Sequence, residues 1–415
     1  LRAAAVKQLE DCGVTEVPQG TKGEDRADAS WSLWPWPFFD DRHHALAERV
    51  EKWSQEHRHP GATPMVEQCR AMVRSMGQAG LLDHVVPPLD EPFDVRSVCL
   101  IREGLTFHHA LADAVFAMQG IGTLAIRRFG SAWQKARYLE PCRSGERIAA
   151  FALTEPETGS DVASMSTSAR KEGDHYVIDG AKTLISNAGF ADHYLLVART
   201  GEAPGAKGLS MFVIDADTPG LEVGPPIDFI APHPAASLRL KGCKVHETQR
   251  VGEPGQGFRA AMAAFDVFRP SVGAAAVGLA RRALDETLRH ASRRRLFGKA
   301  MAMLDGVQMN LADMATDLEG AALLVYRAAW SHDVPGKSSP YEASMAKLAG
   351  SEAAGRIVDR AVQLLGGLGV TQGQLVEQLY REARPMRIYE GSSEVQKLVI
   401  ARDLLKRGGW LGSSA

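Results

Sequence analysis

The hydrophobic spacing of this chain changes period twice, and that limits its folds more than any other feature. From about Phe38 to Arg147 the pattern is helical. Leu46, Val50 and Trp53 fall four and three residues apart, one apolar face of a helix that Asp40 and Asp41 can cap near Arg42. Pro60-Gly61 and Val86-Pro87-Pro88 mark loops. From Ala149 to about Pro254 the runs become short and rich in β-branched and aromatic residues: His175–Gly180, His193–Ala198, Leu209–Ile214 and Ser237–Leu240. Turns such as Asp217-Thr-Pro-Gly220 separate them, which predicts a barrel or sandwich. From Gly257 to Lys406 helical spacing returns. Val277, Ala280, Leu284 and Leu288 share one face, as do Leu311, Met314, Leu318, Ala322 and Val325, and Ile357, Ala361 and Leu364. Long amphipathic helices with short connections predict an antiparallel bundle.

The expectation is a multidomain α+β chain. Residues 1–37 form an extension left outside the fold argument. Residues 38–148 form a helical domain, 149–254 a β-barrel, 255–406 a four-helix bundle, and 407–415 a tail. A length of 415 residues suits several cores better than one. Lys and Arg total 48 against 50 Asp and Glu, so no electrostatic reason exists to expect nucleic acid. The five cysteines are scattered without a CxxC pair, which suggests neither zinc nor a disulfide framework and fits a reducing cytoplasm. No run approaches the roughly 18 uninterrupted apolar residues of a membrane span. Glu10, Asp11 and Glu16 argue against a targeting peptide. His108 and His109 lack the i, i+4 spacing of a two-histidine metal site, and no metal is expected.

Five strings then stand in order: Leu153-Thr-Glu-Pro-Glu-Thr-Gly-Ser-Asp161 opening the β region, Gly180-Ala-Lys-Thr-Leu-Ile-Ser-Asn187 at the first hairpin, Arg294-Arg-Leu-Phe-Gly298 ending the first long helix, Gln363-Leu-Leu-Gly-Gly-Leu-Gly369, and Arg381 to Gln396 containing Tyr389-Glu390-Gly391. Together they resemble the acyl-CoA dehydrogenase family from about Phe38 to Leu405. The resemblance implies bound FAD, a homotetramer or homodimer, an acyl-CoA thioester as substrate and an electron-transfer flavoprotein as acceptor. Desaturating a thioester needs a carboxylate to take the α-proton, a flavin to take the β-hydrogen as hydride, and donors fixed where enolate charge gathers.

The resemblance makes Glu390 the base, with its own backbone N–H as half of the enolate site. Gly391 lets the backbone approach the thioester. A lone Glu would otherwise be a solvated loop carboxylate. In some branches the base stands on a bundle helix, at the position of Phe268 here, and Phe cannot accept a proton. Phe265, Asp266, Arg269 and Tyr389 match substrate positions, although Asp266 and Arg269 also read as a helix-start ion pair. Thr154 and Ser186 match hydroxyls at the isoalloxazine edge, with Ser186 near N5, although both types are common in turns. Phe151, Leu153 and Gly159 are carried over as flavin neighbours, and Ser160 as a neighbour of flavin and substrate. Arg294, followed by Phe297, matches the pyrophosphate arginine, or simply a basic helix end. Gln363, Gly366 and Gly367 match a loop holding FAD across a subunit boundary, or a glycine C-cap. Ser392 and Glu394 match contacts to the adenosine part.

Three departures stand out. Leu184 replaces a tryptophan that covers the flavin, and Asp305 replaces a glutamine that supports it. Phe229-Ile-Ala-Pro-His-Pro-Ala-Ala236 replaces a Gly-Arg-Ser/Thr stretch near CoA, which admits a carrier-protein thioester. Ala114, Phe116, Ala117 and Met118 suggest an apolar or aromatic acyl pocket, though a helix core would look the same. Glu390 argues against a flavin monooxygenase of this fold. An oxidase that passes electrons to oxygen stays open, and a non-enzyme flavoprotein is disfavoured by the intact triplet.

Overall fold

A computed structural model describes residues 31–57, 63–334 and 340–410. The Pro60-Gly61 loop and residues 1–30 lie outside these. Five helices come first: α1 (Asp41–Glu56), α2 (Met65–Gln78), α3 (Val95–His108), α4 (Ala110–Phe129) and α5 (Ala132–Arg143). Asp40 precedes α1 in extended conformation, and its N–H donates to His43 Nδ1 at 3.0 Å. Leu46, Val50 and Trp53 all turn inward.

The segment read as an extension is packed from Trp31 onward. It has no period, so its aromatic rings were not recognisable as core. Trp31 and Trp34 are buried, and their indole N–H groups donate to Glu103 Oε1 at 3.1 and 3.0 Å. Tyr326 OH and Arg281 Nη1 donate to the same carboxylate at 2.5 and 2.7 Å. His108 Nε2 lies 2.7 Å from Glu51 Oε2, tying α3 to α1.

The middle region forms one sheet of β1 (Ala149–Ala152), β2 (Ser168–Glu172), β3 (His175–Ser186), β4 (His193–Arg199), β5 (Leu209–Asp215), β6 (Leu221–Pro226), β7 (Ala235–His246) and β8 (Arg250–Val251). The path is β6-β7-β3-β2-β4-β5-β8, with β1 parallel to β4 from Ala149↔His193. All four runs identified by composition are strands. The Gly180–Asn187 string is not at the first hairpin. It continues β3 and pairs with β7, with a register shift between Lys182 and Ile185. Gly180 serves a close approach there: a Cβ would lie 2.6 Å from Thr167 Oγ1. Buried Gln119 on α4 ties the helical domain to the sheet, accepting from Ala149 N at 2.8 Å and donating to Arg147 O at 2.8 Å.

The last region holds α6 (Gly257–Arg293), a small hairpin of β9 (Arg295–Leu296) and β10 (Lys299–Ala300), α7 (Asp305–Asp333), α8 (Pro340–Leu365), α9 (Leu375–Ala383) and α10 (Ser393–Arg407). α6 has the length and apolarity of a membrane-crossing helix, but 78% of its apolar window is buried against other elements. It crosses α8 where Gly273 meets Gly350. A Cβ on Gly350 would lie 2.6 Å from Gly273 O, so only bare backbone fits. The apolar stripe of α6 holds to Ala280 and ends early, because Leu288 is 44% exposed.

Candidate active site

Tyr389-Glu390-Gly391 sits between a short 3-10 turn (Arg384–Arg387) and α10. Ile388 and Tyr389 donate back to Pro385 O at 2.8 and 3.1 Å. The chain then passes through two left-handed residues, Glu390 at φ 53° and Gly391 at φ 90°, before Ser392 starts α10. Left-handed backbone at a non-glycine residue costs about 1–3 kcal/mol and persists only where its surroundings enforce it. Here Lys347 Nζ and Gln396 Nε2 each donate to Gly391 O at 2.9 Å, and both side chains are fully buried. Glu352 steadies the flanks, accepting from Arg387 Nε at 2.9 Å and Ser393 Oγ at 2.5 Å.

The Glu390 residue is partly exposed, but its Oε2 is buried and accepts no hydrogen bond. Burial raises its pKa above the usual carboxylate range. Arg102, Lys347 and Arg269 oppose that rise, and Asp113 adds to it. These charges come from four helices. Arg102 on α3 is clamped by Asp113 on α4 (2.7 and 2.9 Å) and donates to Ser271 Oγ on α6 at 2.9 Å. Arg269 on α6 is buried and pairs with Asp266 at 2.9 Å. Burial, the largest influence, lowers Lys347 on α8 to about 8. A desolvated, unpartnered carboxylate facing fixed cations is suited to accept a proton.

The second part of the site lies where β1 runs on beside β3. Lys182 Nζ donates to Leu153 O at 3.0 Å and to Glu155 Oε1 at 2.9 Å, and Thr183 N donates to Thr154 O at 2.9 Å. Thr154 is thereby set beside Leu184, which is left-handed (φ 57°) and 51% exposed. Two residues on, the Ser186 hydroxyl meets His233 Nε2 at 2.7 Å. Phe151 meets Phe265 of α6 edge-on at 5.8 Å, which connects this surface with Asp266 and Arg269. Gly159 and Ser160 are exposed in the turn after Glu155. Phe116 and Ala117 are core residues of α4, whereas Ala114 and Met118 are half-buried.

The remaining sequence candidates lie elsewhere. Arg294 and Phe297 are exposed at the far end of α6, and Phe297 is left-handed and 91% exposed. Gln363, Gly366 and Gly367 are exposed at the end of α8, next to that hairpin, because Leu296 and Leu364 pack on one cluster with Ala291, Met301 and Val307. Phe265 and Arg294 are 29 residues apart on α6, about 40 Å along its axis. The structure therefore makes two groups of candidates within one chain. Asp305 opens α7 on the surface, Ser392 caps α10, and Glu394 is exposed in its first turn.

Sequence reasoning missed Arg102, Asp113, Lys347, Gln396 and the role of His233. Lys347 did carry a signal, since it is a lone charge inside an otherwise uncharged helix stretch, and Arg102 with Glu103 forms a charged pair within a run of apolar residues. His233 is 47 residues from its partner and carried none.

Family models match along the chain in sequence: the acyl-CoA dehydrogenase N-terminal domain over 40–146, the middle domain over 150–243 and the C-terminal domain over 255–405. A 3-(aryl)acrylate reductase of Clostridium sporogenes is 35% identical over 378 residues, covering 89% of this chain and 100% of its own. The mitochondrial short-chain specific acyl-CoA dehydrogenase of Mus musculus is 38% identical over 350 residues, covering 81% and 82%. The crystal structure of acyl-CoA dehydrogenase from Geobacillus kaustophilus superposes with a TM-score of 0.83 at 31% identity, covering 89% of this chain and 99% of that one. With helices, sheet and helices in this order, and similarity of this extent over three successive domains, the chain belongs to the acyl-CoA dehydrogenase family, oxidoreductases that use FAD.

Proposed function

We propose that this protein carries out α,β-dehydrogenation of an acyl-CoA thioester, with Glu390 taking the α-proton. The observation that carries this reading is the buried, unpartnered Oε2 of a left-handed Glu390 set among Arg102, Arg269 and Lys347. A base held without a hydrogen-bond partner needs no bond broken before it accepts a proton. The strained turn leaves the 390–391 backbone as the enolate-side wall.

The residues present fit FAD. The uncovered Leu184 and the half-buried hydroxyls of Thr154 and Ser186, backed by the buried apolar Phe151 and Leu153, have the right chemistry for an isoalloxazine ring. Bound FAD would take the β-hydrogen as hydride. Gln363, Gly366, Gly367, Arg294, Phe297, Ser392 and Glu394 would hold the rest of the cofactor. The separation of about 40 Å along α6 favours supply of the Gln363 and Arg294 group by a second copy of the chain. Phe265, Asp266, Arg269, Ser160, Tyr389 and Gly391 would receive the thioester, and an electron-transfer flavoprotein would accept the electrons.

A second reading has the same site adding hydrogen to an arylacrylate. The 35% identity to the Clostridium reductase favours it, and it uses Glu390 as proton donor. The test is anaerobic mixing of FAD-loaded protein with saturated acyl-CoA thioesters, alongside mixing of chemically reduced protein with arylacrylates. Bleaching by a thioester, abolished in Glu390→Gln, supports dehydrogenation. Reoxidation by arylacrylates without any bleaching supports the reductive reading. Full bleaching in Glu390→Gln overturns the assignment of the base.

A further inference from the structure

The loop Phe229–Ala236 departs from the usual family stretch, and the structure shows where it goes. Prolines 232 and 234 stiffen it on either side of His233. Asn187 N donates to Pro234 O and Ile227 N to Ala235 O, both at 2.9 Å, fastening the loop to the end of β3. Arg381 on α9 holds Ile230 O at 2.8 Å from the other side. Phe229 packs edge-on against the imidazole at 5.7 Å. The ring so held points Nε2 at Ser186 Oγ, 2.7 Å away.

We infer that His233 is a positioning residue for the flavin: its Nε2–H donates to Ser186 Oγ, leaving the single hydroxyl proton of Ser186 free to donate to the isoalloxazine edge. This inference rests on the placement of Ser186 beside FAD proposed above. A serine hydroxyl has one proton and two lone pairs. If it gave that proton to His233, it could only accept from the cofactor. If His233 donates instead, the hydroxyl is oriented outward and polarised into a stronger donor. Burial lowers the imidazole pKa to about 4, so at neutral pH it is neutral with a single N–H, and the donor role requires the tautomer that carries this proton on Nε2. A donor aimed at N5 bonds the oxidised ring, where N5 is an acceptor; once the hydride is taken up N5 carries a hydrogen and that acceptor is gone, so the bond favours the oxidised flavin and lowers its midpoint potential.

The test is spectroelectrochemical titration of FAD-loaded protein without substrate, comparing Ser186→Ala, His233→Phe, His233→Gln and the Ser186→Ala/His233→Phe pair. Ser186→Ala should raise the midpoint potential and raise the dissociation constant of oxidised FAD about fivefold, the size of one hydrogen bond. His233→Phe should raise the potential in the same direction by no more than that. His233→Gln, whose amide N–H can replace Nε2–H, should stay near the parent. In the double variant the His233 effect should vanish, since it acts only through Ser186. An unchanged or lowered potential in His233→Phe, with Ser186→Ala still raising it, overturns the inference alone. No effect of Ser186→Ala overturns the placement of Ser186 and the inference with it. His233→Gln keeps the test open should His233→Phe fail to fold.

Discussion

Removing the Glu103 carboxylate should loosen the junction between the amino-terminal aromatic segment and the bundle. Four donors converge on this one fully buried side chain: Trp31 Nε1, Trp34 Nε1, Tyr326 OH and Arg281 Nη1. In Glu103→Ala the two indoles and the phenol lose their acceptor inside the core, and each buried orphan costs about 1–3 kcal/mol. The Arg281 side chain is 19% exposed and reaches water, so its loss is smaller. Partial relaxation keeps the total below the simple sum, at about 3–5 kcal/mol, the range for breaking a buried charged contact. Unfolding entropy of about 2.1 cal/mol/K per residue over 415 residues is about 0.9 kcal/mol/K, so the melting temperature should fall by about 3–6 °C. Glu103→Gln keeps an oxygen for the indoles and an amide that Tyr326 can accept from, and loses only the charge opposite Arg281. It should lose about half as much. Differential scanning calorimetry measures both, and tryptophan emission reports solvent entry at Trp31 and Trp34. A Glu103→Ala midpoint within 1 °C of the parent would refute the reasoning, as would Glu103→Gln falling as far as Glu103→Ala.

Lys347→Met removes a cation facing Glu390. The base pKa should rise further, and because only the ionised base works, the acid limb of the reductive half-reaction should move to higher pH in a stopped-flow series. Gly350→Ala forces a Cβ to within 2.6 Å of Gly273 O and should cost about 1–3 kcal/mol or more, read as a lower unfolding midpoint. Burial works against ionisation of Glu155, but hydrogen bonds from Thr167 and Ser166 and the Lys182 ammonium bring it from 4.5 to about 2. Its contribution is therefore complete above pH 4.5 and lost as pH falls toward 2, and Glu155→Gln should flatten the stability slope in that interval only.

Residue spacing revealed most of the architecture because both periods are set by burial. Leu46, Val50 and Trp53, or Met314, Leu318 and Ala322, lie inside because the helix puts them on one side. The period overshot at Leu288, where the buried face of the helix has turned to Thr287 and Ala291 and Leu288 is left on the surface. Gly180 suggested a turn but marks a strand pressed against Thr167, and a glycine alone cannot distinguish the two. Trp31 and Trp34 went unread because the carboxylate they share, Glu103, lies some 70 residues away. At the site, Glu390 was legible from its neighbours in the chain. The charges around it were not, because Arg102, Asp113, Arg269 and Lys347 meet only when four helices pack.

The crossing of α6 and α8 has a mechanical meaning. Arg269 lies four residues before Gly273, and Lys347 three before Gly350, so each cation is about one helical turn from the point where the two backbones touch. On the Gly350 side the nearest atoms are all Gly273 backbone, with no side chain between the two to be trimmed or enlarged. The crossing therefore works like a riveted joint, fixing the spacing of the two charges by backbone alone. Residues elsewhere along the helices can change while the electrostatic setting of Glu390 stays calibrated.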